Sequence, residues 1–448
     1  MSRSGRSRIF LQRLFAPIAL GLIVVFTALP VRAQGLIRDA EIERTLRMLS
    51  DPLFQAAGLN PRSVEIFIVN DRNLNAFVAG GRRIFLNTGL LIRLETPAEL
   101  QGVIAHEIGH ITGGHAARRA IKARNAQGPA LLGLLLGIAA AAAGGGEAAG
   151  AIIAGSQGAL VRDFLRHTRG EEASADQAAL TYMDRAGIDP SGLRKVFERF
   201  RGQELFTVGN IDPYAVTHPL SSQRIQLIER KISEIDPQKL QPSNETVYWH
   251  ARMRAKLIGF LNNPETVLNK LEQGASGEDA LYAKSVALHR VPSPGEAIAA
   301  INELIAQRPS DPFYIELKGQ ILHESGRSAE AAPYYRKASQ LAPEEPLLKS
   351  GLGRVLLALD DPAADREALE ALQAARRADF YDADGLRDLA TAYARSGDNA
   401  MATLATAERL ALRGSRDAIL QAKRAMRLLP EGSPGWLRAQ DILSLAQQ

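Results

Sequence analysis

The chain has 448 residues and no cysteine, which is enough for roughly two or three domains and excludes both disulfide bonds and a cysteine-linked lipid anchor. The formal net charge is +5, but residues 1–33 hold five arginines and no acidic residue, so the remainder is neutral. A neutral chain does not favour nucleic-acid binding, which is typical of domains with basic stripes, and we expect no nucleic-acid partner.

The N-terminus has the pattern of a secretory leader. Four arginines precede an apolar run over residues 16–29, and Val31-Arg32-Ala33 ends in a small-residue cleavage pattern. The sequence therefore predicts a signal peptide over residues 1–33, with cleavage after Ala33. The apolar run is short for a membrane span, and an uncleaved anchor is the alternative interpretation.

Two short segments predict a small antiparallel sheet. Residues 63–70 alternate Val64, Ile66 and Ile68 with more polar positions, and residues 83–88 alternate in the same way after a pair of glycines. Alternation of this kind indicates strands with one buried face. An exposed edge of such a sheet can pair with an extended peptide through main-chain hydrogen bonds, which suits recognition of unfolded chains.

A helix is predicted directly after the sheet. Thr96 and Glu99 have the spacing of a capping box, and Pro97 stands at the first helical position. The helix should therefore begin near Pro97 and continue through His106 and His110. Those two histidines are four residues apart and so share one face of the helix.

The pentapeptide His106-Glu107-Ile108-Gly109-His110 predicts a zinc site with hydrolytic chemistry. Two imidazoles on one helix face can bind one zinc ion, and Glu107 beside them can act as a general base. The alternative is an ordinary amphipathic helix with histidines at its surface or in its core. Further ligands decide between the two interpretations.

A catalytic zinc of this type needs a third protein ligand and an open position for water. His115 lies about 180° around an ideal helix from His106, so we expect it to cap the helix or face solvent. The better candidate is Glu172, with Asp176 four residues later on the same helix face. We expect Glu172 to bind zinc and Asp176 to accept the ring N–H of a liganding histidine. Taken alone, this pair is typical of a solvated acidic helix face.

Together these motifs resemble the zinc endopeptidase family that includes the CAAX prenyl proteases and the heat-shock protease HtpX. The family's HExxH motif and a later Glu-x-x-x-Asp match the pentapeptide and the segment from Glu172 to Asp176, and residues 75–86 also resemble the segment ahead of the zinc helix. The match covers roughly residues 60–230. It implies a gluzincin-like α+β protease domain in a mainly α chain, one Zn²⁺ per chain, and, by its soluble branch, a location in the bacterial periplasm.

A second feature of the family is the segment Thr217-His218-Pro219-Leu220, followed by Arg224. By resemblance, His218 is a possible regulatory fourth zinc ligand that displaces the nucleophilic water and keeps the enzyme latent. The alternatives are a histidine that hydrogen-bonds within a turn, and one that donates to the transition-state oxygen. The sequence leaves all three open.

An apolar stretch rich in alanine and glycine, residues 129–161, separates the two halves of the predicted zinc site. It predicts two helices of about 14 residues, each about 21 Å long and too short to cross the hydrocarbon core. We expect either a lid over the active site or a peripheral contact with a membrane interface.

The second half of the chain predicts an α-solenoid of tetratricopeptide repeats. We place the protease domain at residues 34–235, a linker at 236–247 and the repeats at 248–448, because apolar positions beyond the linker recur every 34 residues. An insertion of three residues is expected near Asp361. The recurring positions are Ala297, Ile301, Leu304 and Gly319, which correspond to Ala331, Tyr335, Ala338 and Gly353. Stacked repeats form a concave surface that binds peptides or proteins.

Two functions follow from these predictions. The first is a periplasmic zinc endopeptidase that degrades misfolded or stalled envelope proteins recruited by its repeats, and that also assists their assembly. The resemblance points to outer-membrane β-barrel precursors as substrates and to the barrel assembly machinery as a partner. The second is a chaperone or adaptor with a latent protease domain. Glu107 favours catalysis, since a purely structural zinc site needs no neighbouring carboxylate base.

Overall fold

The computed structural model describes residues 35–118, 158–200, 218, 222–234, 240, 243–291 and 293–445. The predicted signal peptide, residues 129–157 of the predicted apolar hairpin and half of the predicted linker lie outside these residues. From Leu36 onward the described residues belong to one compact unit. Among them, no helix is both long enough and apolar enough to span a membrane.

The first part of this unit combines a small sheet with helices, and a 3₁₀ turn at Pro61–Ser63 precedes the second strand. The strands are β1 Leu36–Ile37, β2 Glu65–Val69, β3 Ala76–Ala79 and β4 Arg83–Asn87. The helices are α1 Ala40–Ala56, α2 Thr88–Arg93, α3 Pro97–Thr112, α4 Gly158–Arg185, α5 Ser191–Phe200 and α6 Ser222–Ser233.

The four-stranded sheet has the order β1-β2-β4-β3 and is mixed. The prediction that the segments containing Val64 and Arg83 pair in an antiparallel sheet was wrong, because β2 and β4 run parallel. The physical reason is β3, which lies between β2 and β4 in the chain and runs antiparallel to β4, so that the chain reverses twice and β4 returns parallel to β2. In its four residues β3 lacks a polar and apolar alternation that would have marked it as a strand.

Helix α3 is the central element of the first part of the unit. Its predicted start is confirmed, since Thr96 and Glu99 form a complete capping box and Pro97 is the first helical residue. The helix lies among α1, α4 and α5 and is buried from Pro97 to His110. At Gly109 a Cβ atom would lie 2.7 Å from the carbonyl oxygen of Ala175 in α4. This glycine therefore permits the close approach that brings α4 to the histidines.

The second part of the chain is a series of antiparallel helix pairs. The pairs are α7 Asn244–Leu261 with α8 Pro264–Glu272, α9 Glu278–Arg290 with α10 Pro294–Gln307, α11 Pro312–Glu324 with α12 Ser328–Leu341, α13 Pro346–Leu357 with α14 Pro362–Ala378, α15 Ala383–Arg395 with α16 Asn399–Leu412, and α17 Asp417–Leu428 with α18 Pro434–Leu445. From α9 onward the first helices of successive pairs begin 34 residues apart, except for 37 between α13 and α15. The predicted repeat period and the three-residue insertion are confirmed. The insertion lengthens α14, which has 17 residues where α12 and α16 have 14.

The repeats contact the first part of the unit through a buried ionic cluster, which we call the joint. In α7, Arg252 and Lys256 both pair with Glu41 of α1, and Lys256 Nζ lies 3.2 Å from Glu41 Oε2. Arg252 also donates to Asp311 Oδ1 at 2.8 Å, and the Tyr282 hydroxyl donates to Glu41. Helices α7 and α9 of the repeats therefore both contact the Glu41 carboxylate of α1.

Candidate metal centre

The two histidines of the pentapeptide are adjacent inside the protein. Residues four apart on an α-helix lie one above the other, and α3 places the Nε2 atoms of His106 and His110 only 3.1 Å apart. Both side chains are buried. Two buried imidazole nitrogens at this distance either share a hydrogen bond or bind one cation, so the other groups at this point decide between the two.

Helix α4 supplies a carboxylate to the same point. Glu172 Oε2 lies 3.2 Å from His106 Nε2, and Glu172 Oε1 lies 3.4 Å from His110 Nε2. Glu172 is fully buried. The alternative interpretation of a solvated acidic helix face therefore does not apply to Glu172.

His218 lies on the remaining side of the cluster. Its Nδ1 atom is 3.2 Å from His106 Nε2 and 3.0 Å from Glu172 Oε2, and its Nε2 atom is 3.5 Å from Glu107 Oε1. His218 thus contacts both the candidate ligands and the predicted base. Glu107 itself is 1% exposed.

The donor set fits a zinc ion. The ligand atoms of His106, His110, Glu172 and His218 all lie within 4.8 Å of one another, and all four residues are buried. A tetrahedron with metal–nitrogen distances of about 2.0–2.1 Å has edges of about 3.3–3.4 Å. The five distances given above, 3.0 to 3.4 Å, include contacts of both Glu172 oxygens and are close to that edge length.

The residues around this cluster hold its members in place. Asp176 Oδ1 lies 2.9 Å from His106 Nδ1, the ring nitrogen that faces away from the cluster. Arg224 donates to both oxygens of Asp176, at 2.5 and 2.8 Å, and its Nη1 lies 3.3 Å from Glu172 Oε2. Its guanidinium also stacks 4.8 Å from the centre of the Phe197 ring. Sequence spacing gives Arg224 no role beyond its place in the family segment, although two buried carboxylates on α4 require a nearby cation.

The prediction for His115 was wrong. It is 2% exposed, and its Nδ1 atom lies 2.8 Å from Nδ1 of His110. The prediction assumed that the helix continues, but α3 ends at Thr112 and Gly114 takes a positive φ of 65°. The chain therefore changes direction after α3, and the His115 ring contacts the His110 ring.

Comparison with known proteins agrees with this geometry. Residues 37–232 match the model of peptidase family M48. This chain carries a peptidase family M48 domain. The chain is a metalloendopeptidase, as predicted from the pentapeptide and the family resemblance.

Sequence similarity to known proteins extends beyond residues 37–232 and covers most of the chain. The β-barrel assembly-enhancing protease of Yersinia pestis is 27% identical over 386 residues, which cover 85% of this chain and 78% of that protein. The protein of the same name from Escherichia coli K12 is 25% identical over 389 residues, with the same two shares. Among solved structures, the APC/C hetero-tetramer Cut9-Hcn1 has a TM-score of 0.33 and 15% identity, and covers 77% of this chain and 80% of that chain.

The protonation states of Glu172 and His110 suit a cation, whereas His106 must give up a proton when it binds one. Burial lowers the pKa of His110 to about 3, so this imidazole is neutral at pH 7. Burial also disfavours charge on His106, but hydrogen bonds with Asp176 and Glu172 outweigh it and raise the pKa to about 9. Burial raises the pKa of Glu172, while His218 and His110 lower it more, so its pKa stays well below the usual range. An ionised Glu172 and a neutral His110 are the forms that bind metal.

Replacing Arg224 with lysine is expected to weaken zinc binding by about 10- to 100-fold, because lysine keeps the charge but cannot hold both oxygens of Asp176. Competition of the purified protein with a zinc chelator measures the affinity. Arg230→Lys is the control, since Arg230 is exposed on the same helix. Equal affinities of Arg224→Lys and the unmodified protein would contradict the role of Arg224.

Proposed function

We propose that this protein is a zinc-dependent endopeptidase of the bacterial periplasm that degrades misfolded or stalled envelope proteins. His106, His110 and Glu172 would hold the zinc. The single observation that carries the proposal is the buried cluster of these three residues with Glu107 beside them. A carboxylate next to a donor set of this kind is a feature of hydrolytic sites and has no use in a purely structural one.

The residues divide the work of peptide hydrolysis. When bound, zinc supplies a Lewis acid that polarises the substrate carbonyl and lowers the pKa of water. Glu107 accepts the proton of the attacking water and passes it to the leaving amine nitrogen. Asp176 accepts the Nδ1–H of His106, so that Nε2 keeps its lone pair for the metal, and Arg224 holds Asp176 in place.

His218 keeps the enzyme latent in this proposal. A catalytic zinc site has three protein ligands and an open position, whereas a closed site has four. The Nδ1 atom of His218 lies 3.2 Å from His106 Nε2 and 3.0 Å from Glu172 Oε2, distances that suit ligands of one metal ion. This position supports occupation of the open site by His218. A substrate or partner that displaces His218 would open the site.

Replacing His218 with alanine is expected to accelerate cleavage of an unfolded protein several-fold, because the position for water becomes free. Initial rates of the zinc-loaded variant and the unmodified protein give the comparison. His323→Ala, which removes a half-buried histidine in the repeats, serves as the control. Slower cleavage by His218→Ala would instead indicate that His218 donates to the transition-state oxygen.

The substrate class rests on the relatives and on the two surfaces of the chain. Relatives at 25–27% identity are named for β-barrel assembly. We propose that the repeats recruit outer-membrane barrel precursors or contact their assembly machinery, and that β3 pairs with the extended substrate. β3 lies at one edge of the sheet, and the described residues place no strand on its other side. The segment 129–161 would add a peripheral membrane contact.

The decisive experiment offers the purified, zinc-loaded protein an unfolded barrel precursor, the same barrel after folding, and an unrelated unfolded protein. Preferential cleavage of the precursor is the expected result. Fractionation and N-terminal sequencing of the protein from cells should give a periplasmic chain that begins at Gln34. If neither the unmodified protein nor His218→Ala cleaves any substrate despite bound zinc, the protein is better explained as an adaptor with a latent protease domain.

A further inference from the structure

The chain contains a histidine pair behind the metal centre that the mechanism does not use. His110 faces the cluster with Nε2, and its Nδ1 atom lies 2.8 Å from Nδ1 of His115. Their rings meet nearly edge to face, with centroids 4.9 Å apart and planes at 75°. The contact is buried, and His115 is not a member of the donor set.

The tautomers of this pair follow from the geometry. Two Nδ1 atoms at hydrogen-bond distance require one donor and one acceptor. If His110 binds zinc through Nε2, its Nδ1 must carry the hydrogen, and His115 Nδ1 must then be the acceptor. The contact between the rings is therefore satisfied by the tautomer of His110 that has a free lone pair on Nε2.

The backbone after α3 places the His115 ring beside His110. At Gly113 a Cβ atom would lie 2.4 Å from His115 Nε2, so a larger residue would displace the ring. Gly114 has a φ of 65°, which favours glycine, and its carbonyl accepts the amide of Arg118 at 3.1 Å. The Arg118 side chain donates to the Gly113 carbonyl and lies 3.9 Å from Glu171 of α4. The turn is thus fixed to the helix that carries Glu172.

We propose that His115 is a positioning residue that orients His110 for metal binding by accepting its Nδ1–H. The inference rests on the proposed zinc site and deepens it. A liganding histidine commonly donates its second ring N–H to a carboxylate, a carbonyl or water. Here a neutral imidazole takes that place for His110, whereas Asp176 takes it for His106. The two ligands therefore have partners of different charge.

The test compares two substitutions of His115, of which only one keeps a hydrogen-bond acceptor. His115→Phe keeps a ring of similar size but has no acceptor, and His115→Asn places an amide oxygen close to the position of Nδ1. Zinc affinity of each purified full-length variant is measured by chelator competition, and the absorption spectrum of the cobalt-loaded protein reports ligand geometry. We expect about 10- to 100-fold weaker zinc binding and an altered cobalt spectrum for His115→Phe, with most of the affinity retained in His115→Asn.

Two controls separate the possible failures. His323→Phe changes a histidine outside the site and should bind zinc like the unmodified protein. An unmodified protein that binds no zinc, or a His110→Ala variant that binds it fully, would overturn the proposed metal site itself. With the site intact, unchanged zinc affinity of His115→Phe would overturn the role of His115. Where a variant does not fold, a ¹⁵N–¹⁵N coupling between the two Nδ1 atoms in the unmodified protein decides, and its absence would overturn the proposal.

Discussion

Replacing Glu107 with glutamine is expected to reduce kcat/KM for peptide hydrolysis by about 10²- to 10⁴-fold, the range that a general base contributes. Glutamine has nearly the same shape but cannot accept the proton of water at neutral pH. Glu107 is buried beside the donor set and is not one of its members. The zinc content should therefore stay that of the unmodified protein.

The control for this prediction is a glutamate on the same helix with a structural role. Glu99 caps α3 and pairs with Arg199 at 2.8 Å. Glu99→Gln should lower the thermal unfolding midpoint and leave kcat/KM unchanged at temperatures where the protein is folded. Zinc content, cleavage rate and unfolding are measured for both variants. Loss of zinc together with activity in Glu107→Gln would mean that Glu107 is a ligand, and full activity would exclude it as the base.

The parts of the site that depend on local sequence were predictable. The capping box at Thr96 and Glu99 determines where α3 begins, and the helical repeat then determines that His106 and His110 share a face. The i, i+4 spacing of Glu172 and Asp176 places them on one face of α4 in the same way. Such features need no knowledge of the rest of the chain.

The parts that depend on distant contacts were not predictable in the same way. His115 was misplaced because the end of α3 at Thr112 and the turn after it decide where the ring points. The partners of Arg224 lie on α4, about 50 residues earlier in the chain, and sequence spacing alone does not indicate them. The parallel pairing of β2 with β4 depends on β3, whose sequence carries no strand pattern.

In the repeats, too, the features set by local sequence were predictable and those set by distant contacts were not. The period of 34 residues follows from packing between neighbouring helices, which is local, and the helix starts confirm it. The joint pairs Glu41 with Arg252, 211 residues later, through side chains that hydrophobic patterns would place at the surface. A buried ion pair of this kind becomes visible only when both helices are in place.

Replacing Arg252 with methionine is expected to lower the free energy of unfolding by about 3–5 kcal/mol, because Asp311 loses this cation and Glu41 keeps only Lys256. Arg252 is 2% exposed, and its guanidinium lies between Glu41 and Asp311 and 3.7 Å from the centre of the Tyr314 ring. Methionine fills a similar volume, so the loss reflects charge and hydrogen bonding more than packing. Denaturant unfolding of the full chain measures it.

Two further variants test whether the joint acts as a pair. Arg427→Met, at an exposed position of α17, should change stability by less than about 0.5 kcal/mol. Glu41→Gln combined with Arg252→Met should be more stable than Arg252→Met alone, since it removes one of the two carboxylates that lost Arg252. A loss below about 1 kcal/mol for Arg252→Met would indicate that water or Lys256 neutralises Glu41. In that case the attachment of the repeats to the protease fold would depend on apolar contacts around Arg252 instead.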